Sequence, residues 1–259
     1  MLEVDTHQVT TALQALNIRA GDSLLVHSAI QFLGRPVGGV GMYLEVLQTV
    51  LGPQGNIAVP TFNFAFARGE PYDPLQTPSV NMGAFSEYVR QQPRARRTPH
   101  PMQSMAVVGP NAADLAARDT PSAFDPGSSF ERLLELDFKL LLLGASIQAV
   151  AMIHYSEQRA NVPYRYWKDY QGQVLTHTGW QTRTYRMFSR DLRANPRLEL
   201  YSLQAEMQRG GAWAAVPLNY GQVSTCRLAD FVAAADRLLA SDPWIFVTNL
   251  EEVRNLLSN

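Results

Sequence analysis

The sequence predicts an α/β layered protein, and three observations carry that prediction. Short apolar runs of the buried-strand type, at residues 24–27, 56–60 and 139–143, alternate with stretches of helical periodicity. These runs empty into Gly, Pro or hydroxyl residues, as strands do where they meet loops. The 259 residues are 46% hydrophobic and 17% charged, enough to bury a substantial core and unlike a fibrous or disordered chain. No linker-like composition divides them, so one domain over residues 1–259 is expected.

Each element follows in order. Residues 6–17 place Val9, Leu13 and Leu16 at helical spacing, with Thr6 as the expected N-cap and Gly21 closing the segment. The run Leu24-Leu25-Val26-His27 reads as a strand that opens into Ser28-Ala29 and then a Gly-rich stretch from Gly34 to Gly41. Residues 42–51 read as a second helix ended by Gly52-Pro53, and residues 56–60 as a second buried strand leading to Thr61-Phe62-Asn63. The stretch from Ala65 to Asp125 is rich in Pro and polar residues and reads mostly as loop, with a helix near 84–91 and an apolar run at 104–108. A strand at 139–143 stopped by Gly144, a helix at 149–160, an alternating stretch at 181–188, and a closing helix, strand and helix within 228–257 complete the series. No internal repeat or low-complexity segment interrupts it.

Charge and cysteine content exclude several classes. Lys plus Arg number 22 against 23 Asp plus Glu, so no global field marks a nucleic-acid or membrane-surface protein. One cysteine, Cys226, forms no internal disulfide and no zinc cluster, and a small core residue is its plainer role. The N-terminal segment carries Glu3 and Asp5 rather than a basic region before an apolar run, so a cytoplasmic protein is expected.

Chemistry concentrates at two places. His27 and Ser28 stand at a strand exit, where layered α/β proteins contact ligands, although a buried histidine satisfied by a carbonyl is an equal alternative. His154 and Glu157 lie three apart in a helical segment, so they share one face; the pair suits a general base held by a carboxylate, although a surface ion pair is the commoner meaning of an isolated His-x-x-Glu. No second helical His accompanies them at spacing four, and the five histidines form no metal cluster. The glycines of 34–41 match neither a P-loop nor a dinucleotide fingerprint, and neither Ser28 nor Ser129 sits in a Gly-x-Ser-x-Gly elbow.

Four segments extend these signals into a resemblance. LLVHSAIQFLG (24–34), NIAVPTFNF (56–64), RRTPHPMQSMAVVGPNA (96–112) and LLLLGASIQAVAMIHYSEQRANVPYR (140–165) resemble, in order and spacing, the aminoglycoside 3-N-acetyltransferase family. The resemblance implies a layered α/β/α sandwich around a mixed sheet, unrelated to the commoner acetyltransferase superfamily. It also implies transfer of an acetyl group from acetyl-CoA to an amino group on an aminoglycoside or related amino sugar, with no metal.

Roles follow from the resemblance residue by residue. An ammonium group cannot attack a thioester until a base removes its proton, so His154 with Glu157 is the expected base, transferring directly without an acyl-enzyme. Ser28, or the backbone from His27 to Ala29, is expected to meet the oxyanion, with His27 alternatively a second acid or base. Ser28, Ala29, Thr61, Arg97, Thr98, His100 and Ser104 match family positions that line the CoA arm and the rim of the site. Ser128 and Ser129 match a segment near the cofactor, and Asp191 is the candidate for a further acidic group. The family usually carries Ser-Ser where this chain has Ser28-Ala29, which removes one hydroxyl, and the match is poor from Leu192 onward.

Charge bears on the acceptor. Residues 151–220 hold nine bases, Arg159, Arg165, Lys168, Arg183, Arg186, Arg190, Arg193, Arg197 and Arg209, against five acids, Glu157, Asp169, Asp191, Glu199 and Glu206. A basic acceptor site suits a nucleotide-linked amino sugar better than a polycationic antibiotic, unless these arginines form a solvated face or hold the CoA phosphates. A family member that binds a ligand without catalysis is the other reading. The partners are then a small-molecule amine and CoA, with the oligomeric state open between monomer and homodimer.

Overall fold

Helix formation at the N-terminus is set by a side chain one residue earlier than Thr6. Asp5 accepts the Gln8 backbone N–H at 2.8 Å while the Gln8 side chain returns to the Asp5 N–H at 3.0 Å, a reciprocal capping box that leaves Thr6 inside the first turn. The structure is a computed structural model and describes residues 2–257. In chain order it runs β1 (Glu3–Val4), α1 (Thr6–Ala15), β2 (Ser23–Ser28), β3 (Arg35–Pro36), α2 (Gly41–Leu51), β4 (Asn56–Pro60), α3 (Gly83–Arg90), β5 (Arg96–Arg97) and β6 (Met105–Val108). It continues with α4 (Ala112–Ala116), α5 (Ser129–Glu135), β7 (Lys139–Leu143), α6 (Ile153–Arg159), β8 (Arg165–Thr176) and β9 (Gly179–Arg190). The last elements are α7 (Tyr201–Arg209), β10 (Ala214–Leu218), β11 (Gly221–Arg227), α8 (Leu228–Ser241) and α9 (Leu250–Leu257).

A seven-stranded mixed sheet, ordered β10-β11-β7-β2-β4-β6-β5, forms the middle layer. β2 pairs in parallel with both β7 and β4, and antiparallel strands complete each side. The central strands are apolar on both faces because helices cover both. Leu24 and Val26 of β2, with Ile57, Val59, Leu141 and Leu143, pack against α1, α2 and α3. Leu25, with Ala58, Leu140 and Leu142, packs against α5, α6 and α8. Strand periodicity therefore puts His27, two residues after Leu25 and in register with Leu142, on the α6 side. This is the layered α/β sandwich with a mixed sheet that the sequence predicts. No helix among the described residues is long and apolar enough to cross a membrane.

β8 and β9 form a long antiparallel hairpin outside the central sheet. A small cluster of Phe66, Tyr72, Met102, Val174 and Tyr185 ties it to the segment after β4. β9 contains the alternating stretch at 181–188, whereas β8 buries Val174 alone and carries almost no hydrophobic pattern. The helix expected at 149–160 is shorter, with a 3-10 turn at Ile147–Ala149 separated from α6. The strand expected within 228–257 is a single bridge between Leu198 and Val247. Local turns explain it, since Ile245 N–H donates to Asp242 and Val247 N–H to Trp244 instead of joining a ladder.

Candidate active site

β2 and β7 end side by side, and the chain leaves both under tight steric control. Gly144, directly after β7, has φ +70°, and a Cβ there would lie 2.6 Å from the Ala29 carbonyl oxygen. The close approach lets Ala29 N–H donate to the Leu143 carbonyl at 2.8 Å. A cavity of about 1240 Å³ opens beyond these strand ends, lined by His27, Ser28 and Ala29 from β2 and its exit, by Ile153 and His154 from α6, and by the base of the hairpin. A smaller cavity of about 330 Å³ meets it at Ser28, Gln31 and Gly83.

α6 holds the most organised polar group. One helical turn separates His154 from Glu157, and His154 Nδ1 lies 2.6 Å from Glu157 Oε2. Glu157 is fully buried and takes three donors: His154, Arg165 Nη2 at 2.8 Å, and Tyr164 Oη at 3.1 Å. Burial pushes its carboxyl toward the neutral form, but Arg165 and His154 outweigh that, and the net pKa is lowered. It is a carboxylate. Burial and the Arg165 charge lower the His154 pKa against the opposing pull of Glu157, so the imidazole is neutral near pH 7. With the Nδ1 proton donated to Glu157, the free lone pair is on Nε2, and the ring is partly exposed in the cavity wall. Phe124 packs edge-on against it at 5.8 Å between ring centroids.

His27 and Ser28 are the other polar groups on this wall. His27 is 3% exposed, its Nε2 has no partner, and burial pushes its pKa down to about 3. The Ser28 hydroxyl is also buried without a partner. Buried polar atoms are ordinarily paired, and both of these residues line the cavity with a side-chain atom that protein leaves unpaired.

The remaining expected residues are not at the cavity. Thr61 Oγ1 and Ser104 Oγ lie 3.1 Å apart, and Arg97 bridges them, with Nε 2.9 Å from Ser104 Oγ and Nη2 2.6 Å from the Thr61 carbonyl. Thr98 Oγ1 accepts the Met105 N–H at 2.8 Å. His100 accepts the Gln103 N–H at Nδ1 and donates from Nε2 to the Arg186 carbonyl, which ties this loop to the hairpin. Ser128 caps α5 through the Glu131 N–H, and Ser129 donates to the Leu115 carbonyl at 2.8 Å. Thr61, Arg97, Thr98, His100, Ser104, Ser128 and Ser129 are absent from the cavity lining, and each has a side-chain polar atom hydrogen-bonded to protein. Asp191 is bound by a neighbour in the same way. Its carboxylate accepts Arg193 Nη2 at 2.7 Å and the Arg193 N–H at 3.0 Å, and it does not line the cavity.

Sequence reasoning missed Tyr164 and Arg165 as the other partners of Glu157. Their signal was present in Val162-Pro163-Tyr164-Arg165, but only folding brings the start of β8 against α6. Four cations, Arg68, Arg165, Lys168 and Arg190, line the larger cavity, and no carboxylate among the described residues does.

Comparison with known proteins gives the chain's family and fold relatives. The family model described as aminoglycoside 3-N-acetyltransferase matches residues 25–240. Aminoglycoside N(3)-acetyltransferase III of Salmonella sp is 31% identical over 195 residues, covering 67% of this chain and 68% of that protein. Aminoglycoside N(3)-acetyltransferase IV of Salmonella sp is 31% identical over 239 residues, covering 90% of this chain and 86% of that one. Among solved structures, AAC-IIIb in binary complex with CoASH superposes with a TM-score of 0.82 at 21% identity, over 95% of this chain and 99% of that chain, which is a likeness of fold. Sisomicin-bound AAC-VIa superposes with a TM-score of 0.81 at 25% identity, over 93% of this chain and 99% of that chain.

Proposed function

The chain belongs to the aminoglycoside 3-N-acetyltransferase family and is an acyltransferase of that family, and from this premise we propose that it N-acetylates an amino sugar by direct, general-base-assisted transfer at the His154 wall of the larger cavity. Acetyl-CoA supplies the acetyl group as a thioester: the amine nitrogen bonds to its carbonyl carbon, the carbon–sulfur bond breaks, and CoA leaves as the thiolate, which takes up the proton that His154 removes from the amine. The cavity exceeds the ~300–1,000 Å³ usual for one small ligand, so there is room for two substrates together.

His154 Nε2 takes the proton of the attacking amine. Glu157 holds the ring through Nδ1 and balances the imidazolium that forms, while Arg165 and Tyr164 keep Glu157 ionised and fixed. Ser28 Oγ, unpartnered and at the junction of the two cavities, is placed to donate to the developing oxyanion. The Ala29 N–H does not share that role, because the Leu143 carbonyl already takes it. His27, neutral and unpartnered at Nε2, is a second polar contact on the same wall.

The observation that carries this reading is a neutral imidazole held by a buried carboxylate and open to a large cavity. A binding-only protein has no use for that arrangement. The test is thiol release from acetyl-CoA with a panel of amino sugars and aminoglycosides, with the product identified by mass spectrometry. Acetylation that disappears in His154→Ala supports the reading, and no transfer to any amine despite CoA binding removes it.

A further inference from the structure

Residues 119–125, between α4 and α5, line neither cavity, yet they are anchored at both ends. At one end Asp119 accepts the Tyr185 hydroxyl at 2.9 Å and is ion-paired with Arg183, while the Arg186 N–H donates to the Pro121 carbonyl at 2.8 Å, so this end is fastened to β9. The other end is fastened to α6. Gln158 Nε2 donates to Asp125 Oδ1 at 2.8 Å, the Ser122 hydroxyl donates to Gln158 Oε1 at 2.7 Å, and Asp125 Oδ2 accepts the Ser122 N–H at 2.9 Å. One half-buried amide thus binds the segment through both its oxygen and its nitrogen, and it lies four residues after His154 on the same helix.

What these contacts hold in place is Phe124. Its ring is 3% exposed, with its centroid 4.5 Å from that of Phe130 and 5.8 Å from that of His154, at 74° to the imidazole plane. Glu157 holds the imidazole at one atom, Nδ1, and a single hydrogen bond leaves a ring free to tilt about it. Tilting moves Nε2 out of the ~2.6–3.2 Å reach that proton transfer needs. An aromatic ring packed edge-on against the imidazole, and itself backed by Phe130, removes that freedom and keeps water from one flank of the base.

We propose that Phe124 and Gln158 are positioning residues for His154: Gln158 fixes residues 122–125 to α6, and Phe124, so placed, keeps Nε2 aimed into the cavity. This deepens the acetyl-transfer reading above and rests on it for the role of His154. Neither residue lines the cavity, so each acts through the imidazole and not on a substrate. The charged groups around that imidazole are Glu157 from α6, Arg165 from β8 and Arg190 from β9, while Asp125, from the segment itself, is engaged by Gln158 and Ser122. Phe124 brings no charge and contributes through burial, the largest cause that lowers the His154 pKa.

Two readouts on the full chain test this: acetyl-CoA-dependent thiol release with the most active amine of the panel above, and the His154 pKa from the pH dependence of its imidazole resonance in NMR, assigned with His154→Ala. In Phe124→Ala kcat should fall by about tenfold, short of the ~10²-fold that an ångström of misplacement costs, with KM for both substrates changing less. The His154 pKa should rise, because water reaches the flank that Phe124 covers. Phe124→Leu, which keeps apolar cover, should stay closer to the parent chain in both readouts. Gln158→Ala should move both in the same direction and less far, and combining it with Phe124→Ala should add little to the single change. Gln158→Ala removes no core side chain and carries both readouts if Phe124→Ala does not fold. A purely structural role would lower the amount of folded protein without moving the pKa of the molecules that remain folded. An unmoved pKa and kcat in folded Phe124→Ala or Gln158→Ala would overturn the proposal, as would a rise in KM alone, which would give the residue to a substrate. If His154→Ala abolishes turnover while those variants match the parent chain, the positioning role falls alone. Parental turnover in folded His154→Ala would remove the base assignment and this proposal together.

Discussion

His154 Nδ1 and Glu157 Oε2 lie 2.6 Å apart across one turn of α6, with the carboxylate fully buried and the imidazole partly exposed to the cavity. The arrangement orients one ring nitrogen inward and leaves the other available to a substrate. Removing the imidazole by His154→Ala should lower turnover by about 10² to 10⁴-fold, the usual contribution of a general base, with CoA-induced thermal stabilisation retained. Glu157→Gln should cost less in rate, since it keeps the side-chain size and loses the charge that favours the imidazolium. Wild-type turnover in folded His154→Ala protein would move the base elsewhere, with His27 next in line.

The pH profile should report the same group. Burial and Arg165 hold the His154 pKa below 6.5, so the rate should stay level through neutral pH and fall only as the pH drops through that lowered value. Arg165→Gln removes a positive charge beside the ring, and the acidic limb of kcat/KM should shift to higher pH. A limb that stays in place would show that another group titrates there.

His27 couples acid stability to the cavity wall. The unfolded chain protonates this residue near 6.5, whereas burial holds the folded imidazole neutral down to about 3. Its contribution to stability is present above pH 6.5 and lost as the pH falls toward 3, up to a limit on the order of 5 kcal/mol from linkage. Denaturant unfolding of the parent chain and of His27→Gln across that window should show a shallower loss in the variant. Equal slopes would place the acid sensitivity in other groups.

Arg97 should behave as a framework residue. It joins Thr61 and Ser104 and reaches the carbonyls of Thr77 and Pro74, so Arg97→Gln strands buried acceptors and should destabilise by about 2–4 kcal/mol. Denaturation midpoints check the loss. A selective rise in KM for acetyl-CoA at unchanged stability would instead return Arg97 to the cofactor.

Cys226 tests direct transfer. It is 5% exposed in the core, on the strand next to β7, and burial raises its thiol pKa, so it is neither accessible nor ionised. Cys226→Ala should keep turnover near that of the parent chain. A covalent acetyl adduct isolated in the absence of amine would overturn direct transfer.

Local pattern was enough for much of the molecule. The runs at 24–27, 56–60 and 139–143 are apolar on both faces because helices cover both, and that signature survives in the sequence alone. The three-residue spacing of His154 and Glu157 likewise determines that they share a helix face, wherever the helix goes. By contrast, β8 shows almost no periodicity, because it is a mostly exposed hairpin strand. Hydroxyl and imidazole groups at Thr61, Thr98, His100, Ser104 and Ser128 are chemically suited to a ligand or to the backbone, and their residue types do not distinguish the two. The folded chain sets the Met105, Gln103 and Glu131 N–H groups against Thr98, His100 and Ser128, as it sets Arg193 against Asp191. Tertiary packing alone also brought Arg165 and Tyr164 to Glu157 and gathered cations without acids on the cavity wall. The sequence determines what each side chain can donate, accept or titrate; which neighbour satisfies it depends on contacts between residues far apart in the chain, and these exist only once the layers have packed.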